Sequence, residues 1–237
     1  VDNYYWLKER ENPDVISYLE EENEYKESLL KPTKKFQETL FNEMKSRIKK
    51  DDSSVPYFFN KYWYITRYEE GKEYPIYTRR YMDIDSEEEI LLDVNKLAKK
   101  YSYYQVSGIS VSPDNKKLAF GVDTLSRRIY TIKVKDLVTG EMYPDQINGV
   151  NSYTTWASDS QTMFYAGKDS QTLRSNSIYR HELSSEQDKD VLVYEETDET
   201  FSTFVYPSKS RDYIMIGSSS TMSNEYRFLS ANTPRDS

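Results

Sequence analysis

Residues 106–135 read VSGISVSPDNKKLAFGVDTLSRRIYTIKVK, and this stretch decides the fold. Apolar residues alternate at Ile109 and Val111, and a Ser112-Pro113-Asp114-Asn115 turn follows. A second strand is expected at Leu118–Val122 and a third at Ile129–Val134. Proline presets φ for a turn, and Asp and Asn side chains bond to their own backbone, so the stretch predicts a hairpin leading into a meander. The pattern recurs along the chain. WASDSQTMFY begins at Trp156, with Asp159 in the place of Asp114 and Met163 in the place of Leu118. VYPSKSRDYIMIG begins at Val205, with Ser210 set against Ser160. Upstream, PYFFNKYWYIT puts Asn60 where Asn115 sits. An Ile-Tyr pair in the next strand repeats as Ile76-Tyr77, Ile129-Tyr130 and Ile178-Tyr179, with Glu225-Tyr226 as its fourth copy. A further apolar strand is expected at Ile90–Val94, Asp136–Val138 and Val191–Tyr194.

Copies spaced roughly 45–55 residues apart match the repeat of four-stranded propeller blades. A four-stranded sheet cannot bury both faces alone, so such units stack radially. Four blades are counted over residues 55–237. An ordinary β-sandwich with similar turns is the alternative, and the shared Asp/Asn turn favours the propeller.

Composition sets outer limits. The 237 residues suffice for one large core or two modest ones. Mean hydropathy is −0.86, yet 23 Tyr, 9 Phe and 3 Trp supply rings suited to packed sheets with wet edges. No stretch approaches the roughly 20 apolar residues of a membrane span, and there is no apolar signal core. The chain opens on Val1, which leaves room for an upstream segment. A cytoplasmic location is expected. With no cysteine, the chain has no disulfide, thiol nucleophile or zinc–thiolate site. A net charge of −8 without a basic stripe argues against nucleic acid.

Two helices are expected first. Asn12 fits an N-cap, Pro13 the first helical position, and Asp14 the positive helix end. Lys31-Pro32 is expected to end this helix and Thr33 to cap a second one. In that second helix Phe36, Leu40, Met44 and Ile48 form an apolar stripe that must be covered. Asp51-Asp52-Ser53-Ser54 reads as a link. The expected domains are therefore a helical extension, 1–54, and a partial propeller, 55–237. The chain stops at Thr233-Pro234-Arg235-Asp236-Ser237, within the fourth expected blade, which suggests a piece of something longer.

These segments carry a family resemblance. WLKERENPDVISYLEEENEY near the start, EEGKEYPIYTRR at Glu69–Arg80 and EEEILLDVNKLAKK at Glu87–Lys100 resemble the oligopeptidase B group of the prolyl oligopeptidase family of serine peptidases. So do SVSPDNKKLAFGVDTLSRRIYTIKVKDLVTG, DKDVLVYEETDETF at Asp188–Phe201 and SKSRDYIMIGSSSTMSNEYRFLSANTP. The resemblance implies an N-terminal helical extension, a seven-bladed propeller and a C-terminal α/β-hydrolase domain with a Ser-Asp-His triad. It also implies cleavage of short peptides after Lys or Arg, with the propeller excluding large folded proteins. Only the extension and about four blades are matched, so the missing hydrolase domain becomes an expected partner. Two other readings stay open: a stand-alone propeller that binds peptides or proteins, and the propeller of a proline-specific oligopeptidase.

A Gly-x-Ser-x-Gly elbow exposes a nucleophilic serine on a strained turn, and no two glycines here are four apart. His181 is the only histidine, and a satisfied or solvated strand position is expected for it. Glu87–Glu89 and the Glu195-Glu196/Asp198-Glu199 cluster lack the alternating ligands and turn glycine of a calcium loop, so solvated edges are expected. Ser218-Ser219-Ser220 has no flanking glycines or lysine to cradle a phosphate. The expectation is no catalytic residue, no cofactor and no metal in this chain.

Overall fold

A computed structural model describes residues 2–236. The chain divides into two compact units, split between Lys50 and Asp51. Among the described residues, no helix is long and apolar enough to cross a membrane.

In the first unit, α1 spans Pro13–Leu30. The Asn12 side chain accepts the Asp14 N–H at 3.0 Å, and Pro13 holds the first position, where its missing N–H costs nothing. The second helix, α2, spans Lys34–Ser46, but Thr33 does not cap it. Its backbone is already helical, and its Oγ1 donates to the Leu30 carbonyl at 2.7 Å. Lys31–Thr33 form a 3-10 turn between the helices, and Pro32 is tolerated because it lies in that turn's first residues. The stripe is largely bare, with Phe36 and Met44 on α2 and Ile48, which lies past the helix end, each more than 60% exposed.

The second unit is mainly β. Its first sheet contains β1 (Asp52–Ser53), β2 (Tyr57–Phe59), β3 (Tyr62–Tyr68), β4 (Ile76–Tyr81) and β5 (Glu88–Asp93). The stretch expected as a link thus carries strand β1, with Asp52 paired to Tyr68. A short helix not expected from the sequence, α3 (Val94–Ala98), follows. Asp93 caps it by accepting the Asn95 N–H, and Val94 and Ala98 are buried.

The second sheet has seven antiparallel strands in chain order. These are β6 (Gln105–Val111), β7 (Lys117–Asp123), β8 (Tyr130–Asp136), β9 (Met142–Trp156), β10 (Thr162–Lys168), β11 (Ser175–Glu182) and β12 (Val191–Glu195). Strand β9 serves both halves. Its first part pairs with β8, from Met142↔Lys135 to Val150↔Tyr130, and its last part pairs with β10, from Val150↔Gly167 to Trp156↔Met163. Gly149 near the changeover has φ +72°, a conformation that glycine adopts without Cβ strain. The third sheet is β13 (Ser202–Pro207), β14 (Tyr213–Ser219) and β15 (Asn224–Ser230). None of these sheets closes on itself. Hydrogen bonding therefore groups the expected repeats into three sheets, because β9 runs uninterrupted from one repeat into the next.

Three apolar clusters fill the spaces between successive layers. Tyr64, Leu91 and Leu92 of the first sheet meet Leu118, Phe120 and Val122 of β7. Ile132, Val134 and Ile147 meet Trp156, Met163 and Tyr165. Phe164 and Ile178 meet Val205, Ile214 and Ile216. Each fully buried side chain of this size stabilises by roughly 1.5–3 kcal/mol, so stacking of layers dominates the fold energy.

Three sequence expectations need correction. The strand expected at Asp136–Val138 is not there: Asp136 ends β8 and a turn follows, in which Asp136 Oδ1 accepts the Val138 and Thr139 N–H groups at 2.7 and 2.9 Å and Gly140 has φ +80°. The hairpin closed by Ser112 and Lys117 recurs as Ala157–Thr162 and Ser208–Tyr213, so Asn115, Ser160 and Arg211 are equivalent. Ser210 therefore matches Asp159, one residue from the alignment with Ser160. Lastly, Ile178 opposes Ala166 and Tyr226 opposes Gly217, and the matching position in β8 is Ile132, opposite Gly121. The Ile129-Tyr130 pair is thus three residues and the Glu225-Tyr226 pair one residue out of register with Ile178-Tyr179, because similar dipeptides carry no record of which residue they oppose.

Candidate functional site

The repeated turns that organise the sequence meet at one rim of the second unit. Asn60 Nδ2 donates to the Pro113 carbonyl at 2.9 Å and to Asn115 Oδ1 at 3.0 Å, and Asn115 Nδ2 donates back to the Asn60 carbonyl at 3.2 Å. The Asp114 N–H donates to Ser160 Oγ at 3.0 Å, and the Ser158 N–H to the Ala231 carbonyl at 2.9 Å. The first two links thus run through the Asn and Ser side chains that make the turns, and the third is a bond between backbones. Trp156 Nε1 adds a bond to the Ser110 carbonyl at 3.1 Å. A cavity of about 380 Å3 opens between these turns, lined by Asn60, Pro113, Trp156, Ser158 and Tyr213 among others.

His181 lies in β11 at 1% exposure, held between two carboxylates. Its Nδ1–H donates to Asp190 Oδ1 at 2.6 Å and its Nε2–H to Asp145 Oδ1 at 2.8 Å. Tyr165 O–H donates to Asp190 Oδ2 at 2.7 Å, and the Ser184 N–H donates to Asp145 Oδ1 at 2.6 Å. Burial alone pushes the imidazole toward its neutral form. The hydrogen bonds and charges of Asp145 and Asp190 override this and raise its pKa to about 9. His181 is therefore a buried cation at neutral pH. With both ring nitrogens donating to carboxylates, neither can take a proton from a nucleophile, and among the described residues no serine hydroxyl bonds to the ring. The group ties β9 to β11 and to the segment before β12.

The carboxylate clusters are not simply solvated. Glu89 forms a two-bond pair with Arg79, at 2.7 and 2.8 Å, and the Arg79 side chain is only 4% exposed. Arg79 also donates to the Asn115 carbonyl at 2.9 Å, which fixes the first sheet to the next repeat's turn. Glu88 pairs with Arg67 at 3.0 Å. Glu196 accepts the Tyr194 hydroxyl at 2.7 Å, and Asp198 caps its own turn through the Thr200 N–H. Arg174 holds this loop by donating to the Asp198 and Phe201 carbonyls at 3.1 and 2.8 Å. Ser218 is buried, 3.4 Å from the Tyr194 hydroxyl. Among the described residues, no group of three or more His, Cys, Asp or Glu is arranged to hold a metal ion.

Sequence reasoning identified His181 but not Asp145, Asp190 or Arg79. Asp145 lies 36 residues from its partner. No local signal marks such an aspartate, and only strand pairing brings the two together.

Comparison with known proteins accords with this architecture. Residues 1–236 match the family model described as prolyl oligopeptidase, N-terminal beta-propeller domain. The chain is 38% identical over 250 residues to "Dipeptidyl aminopeptidase BI" of Pseudoxanthomonas mexicana, a match covering 98% of this chain and 35% of that protein. It is 34% identical to "Protease 2" of Moraxella lacunata, with the same two coverages. Oligopeptidase B from Leishmania major superposes with a TM-score of 0.89 at 32% identity, over 100% of this chain and 33% of that one. The chain spans about a third of the length of these relatives. It carries few helices beside open antiparallel sheets, and the matched region of every one of these comparisons takes in nearly all of it. The chain belongs to the prolyl oligopeptidase family of peptidases, as an N-terminal β-propeller domain.

Proposed function

We propose that this chain is the non-catalytic, substrate-gating N-terminal portion of a serine oligopeptidase that cleaves short peptides after Lys or Arg. In this reading residues 1–54 are a helical extension and 55–237 are four consecutive propeller blades, two of them sharing strand β9. The chemistry belongs to a hydrolase domain outside the chain, the substrates are short peptides, and the compartment is the cytoplasm. The observation that carries the reading is the end-to-end match to the N-terminal third of peptidases, in a chain with no nucleophile elbow. The occupied ring nitrogens of His181 support a non-catalytic role. The Lys/Arg preference rests on the likeness of the EEGKEYPIY and SPDNKKLAF segments to the oligopeptidase B group.

The test compares the 237-residue chain with the full natural protein on Arg- and Lys-amide reporter peptides and on a serine-reactive phosphonate probe. The full protein is expected to turn over both reporters and to take up one equivalent of probe, the short chain neither. Turnover with stoichiometric labelling of any serine in the short chain overturns the non-catalytic reading. A natural protein no larger than this chain's 28.1 kDa would mean a stand-alone binding module instead.

The bare stripe on α2 gives a second expectation. If the hydrolase domain covers it, Leu40→Asp should move the chain's own stability by no more than about 0.5 kcal/mol, as expected of a surface change. The same substitution should strongly weaken association with a separately made hydrolase domain, measured by calorimetry. A large fall in the melting temperature of the chain itself would show that the stripe is already covered within it.

A further inference from the structure

Arg211 occupies the third copy of a turn position held elsewhere by Asn115 and Ser160. All three have left-handed backbone, with φ of +69°, +62° and +55°. Asn is enriched several-fold in this conformation, whereas a long side chain gains nothing there and carries local strain. Each of these turns closes through the same backbone bond, such as Arg211 N–H to the Ser208 carbonyl at 3.0 Å, so the turn itself does not need arginine.

The guanidinium is presented to a specific place. Its carbon lies 4.7 Å from the centroid of the Phe59 ring, which comes from the first sheet. The guanidinium carries a planar N–H fork that matches a carboxylate in two parallel bonds. Arg80, Arg174 and Arg180 donate to backbone carbonyls, and four other arginines of this unit have carboxylate partners: Arg67 with Glu88, Arg79 with Glu89, Arg227 with Glu225 and Arg235 with Glu182. Arg211 has none among the described residues, in a chain whose net charge is −8. Beside it opens the 380 Å3 cavity, whose apolar walls include Phe59, Pro113, Trp156, Pro207 and Tyr213. This is within the size range of small-ligand sites, which pair apolar walls with a few oriented polar groups.

From this juxtaposition we propose that the cavity is a binding site for the carboxylate of an extended apolar peptide, with Arg211 holding the carboxylate and the aromatic and proline walls holding the adjoining side chains. A free peptide C-terminus and an acidic side chain both supply that chemistry. Its test does not depend on hydrolysis.

Titration calorimetry on the chain decides it, with three probes: N-acetyl-Ala-Pro-Phe as the free acid, the same peptide as its amide, and the amide with an added internal Glu. The acid is expected to bind and the plain amide to bind at least about tenfold more weakly, the scale of a lost charge-assisted pair. Recovery of binding by the Glu-containing amide would identify a side-chain carboxylate as an equally good source. Arg211→Asn should abolish the difference between acid and amide while leaving the melting temperature at or above that of the parent, since Asn suits the left-handed turn. Arg211→Lys, a point charge without the fork, should retain an intermediate preference. Equal binding of acid and amide, unchanged selectivity in Arg211→Asn, or no binding of any probe at millimolar concentration overturns the proposal.

Discussion

Gly108→Ala should destabilise the second unit by about 3 kcal/mol or more, the largest single effect expected of a one-methyl change in this chain. Gly108 sits in β6 with φ +68°, where any Cβ is strained. A Cβ built there would also lie 1.9 Å from the Ser152 carbonyl oxygen and 2.5 Å from its carbon. These are backbone atoms, so no rotamer change relieves the clash. Gly121 makes the same kind of approach to Ser152, with its would-be Cβ 2.7 Å from Cα. The backbones of β6, β7 and β9 thus come together at Ser152. Urea denaturation followed by circular dichroism measures the effect. A loss below about 1 kcal/mol would mean that β6 and β9 can separate cheaply, contrary to the tight contact described.

The second large effect concerns pH. The pKa of His181 rises from its ordinary value of 6.5 to about 9 in the folded chain, because Asp145 and Asp190 outweigh the opposing effect of burial. The folded state therefore holds a proton that the unfolded state releases first. The resulting stability is fully present below about pH 6.5 and is lost as pH rises through about 9, a total on the order of 3 kcal/mol. No cysteine and no second histidine titrates in this window, and the His181→Gln variant isolates the contribution of this side chain. Stability measured by urea titration should fall steadily from pH 6.5 to 9. His181→Gln should flatten that slope and cost about 3–5 kcal/mol at pH 6.5, since it leaves two buried carboxylates without their cation. A parent chain whose stability is level across this range would refute the charged-histidine assignment.

The sequence alone determined what is local. Asn12 and Pro13 announce the start of α1 because capping needs only neighbouring atoms. The turn at Ser112–Lys117 and its copies could be read because Pro, Asp and Asn act on their own backbone, and alternation marks strands because side chains in them have a period of two. The family could be read as well, since long segments carry it in order. Thr33 misled because its hydroxyl finds the preceding turn's carbonyl as readily as a cap position. Tertiary structure decided the rest. The register that puts Ile132 opposite Gly121, and the continuation of β9 across two repeats, depend on which strands pair. The partners of Glu88 and Glu89 come from strands already laid down, so a run that looks solvated in sequence becomes two ion pairs. His181 shows the same limit most sharply. Its residue type was plain, but its charge depends on Asp145 and Asp190, and those two carboxylates meet at one imidazole only after β9, β11 and the segment before β12 have packed. Electrostatic character in a buried site depends on distance in space, and a linear order of residues holds no direct measure of it.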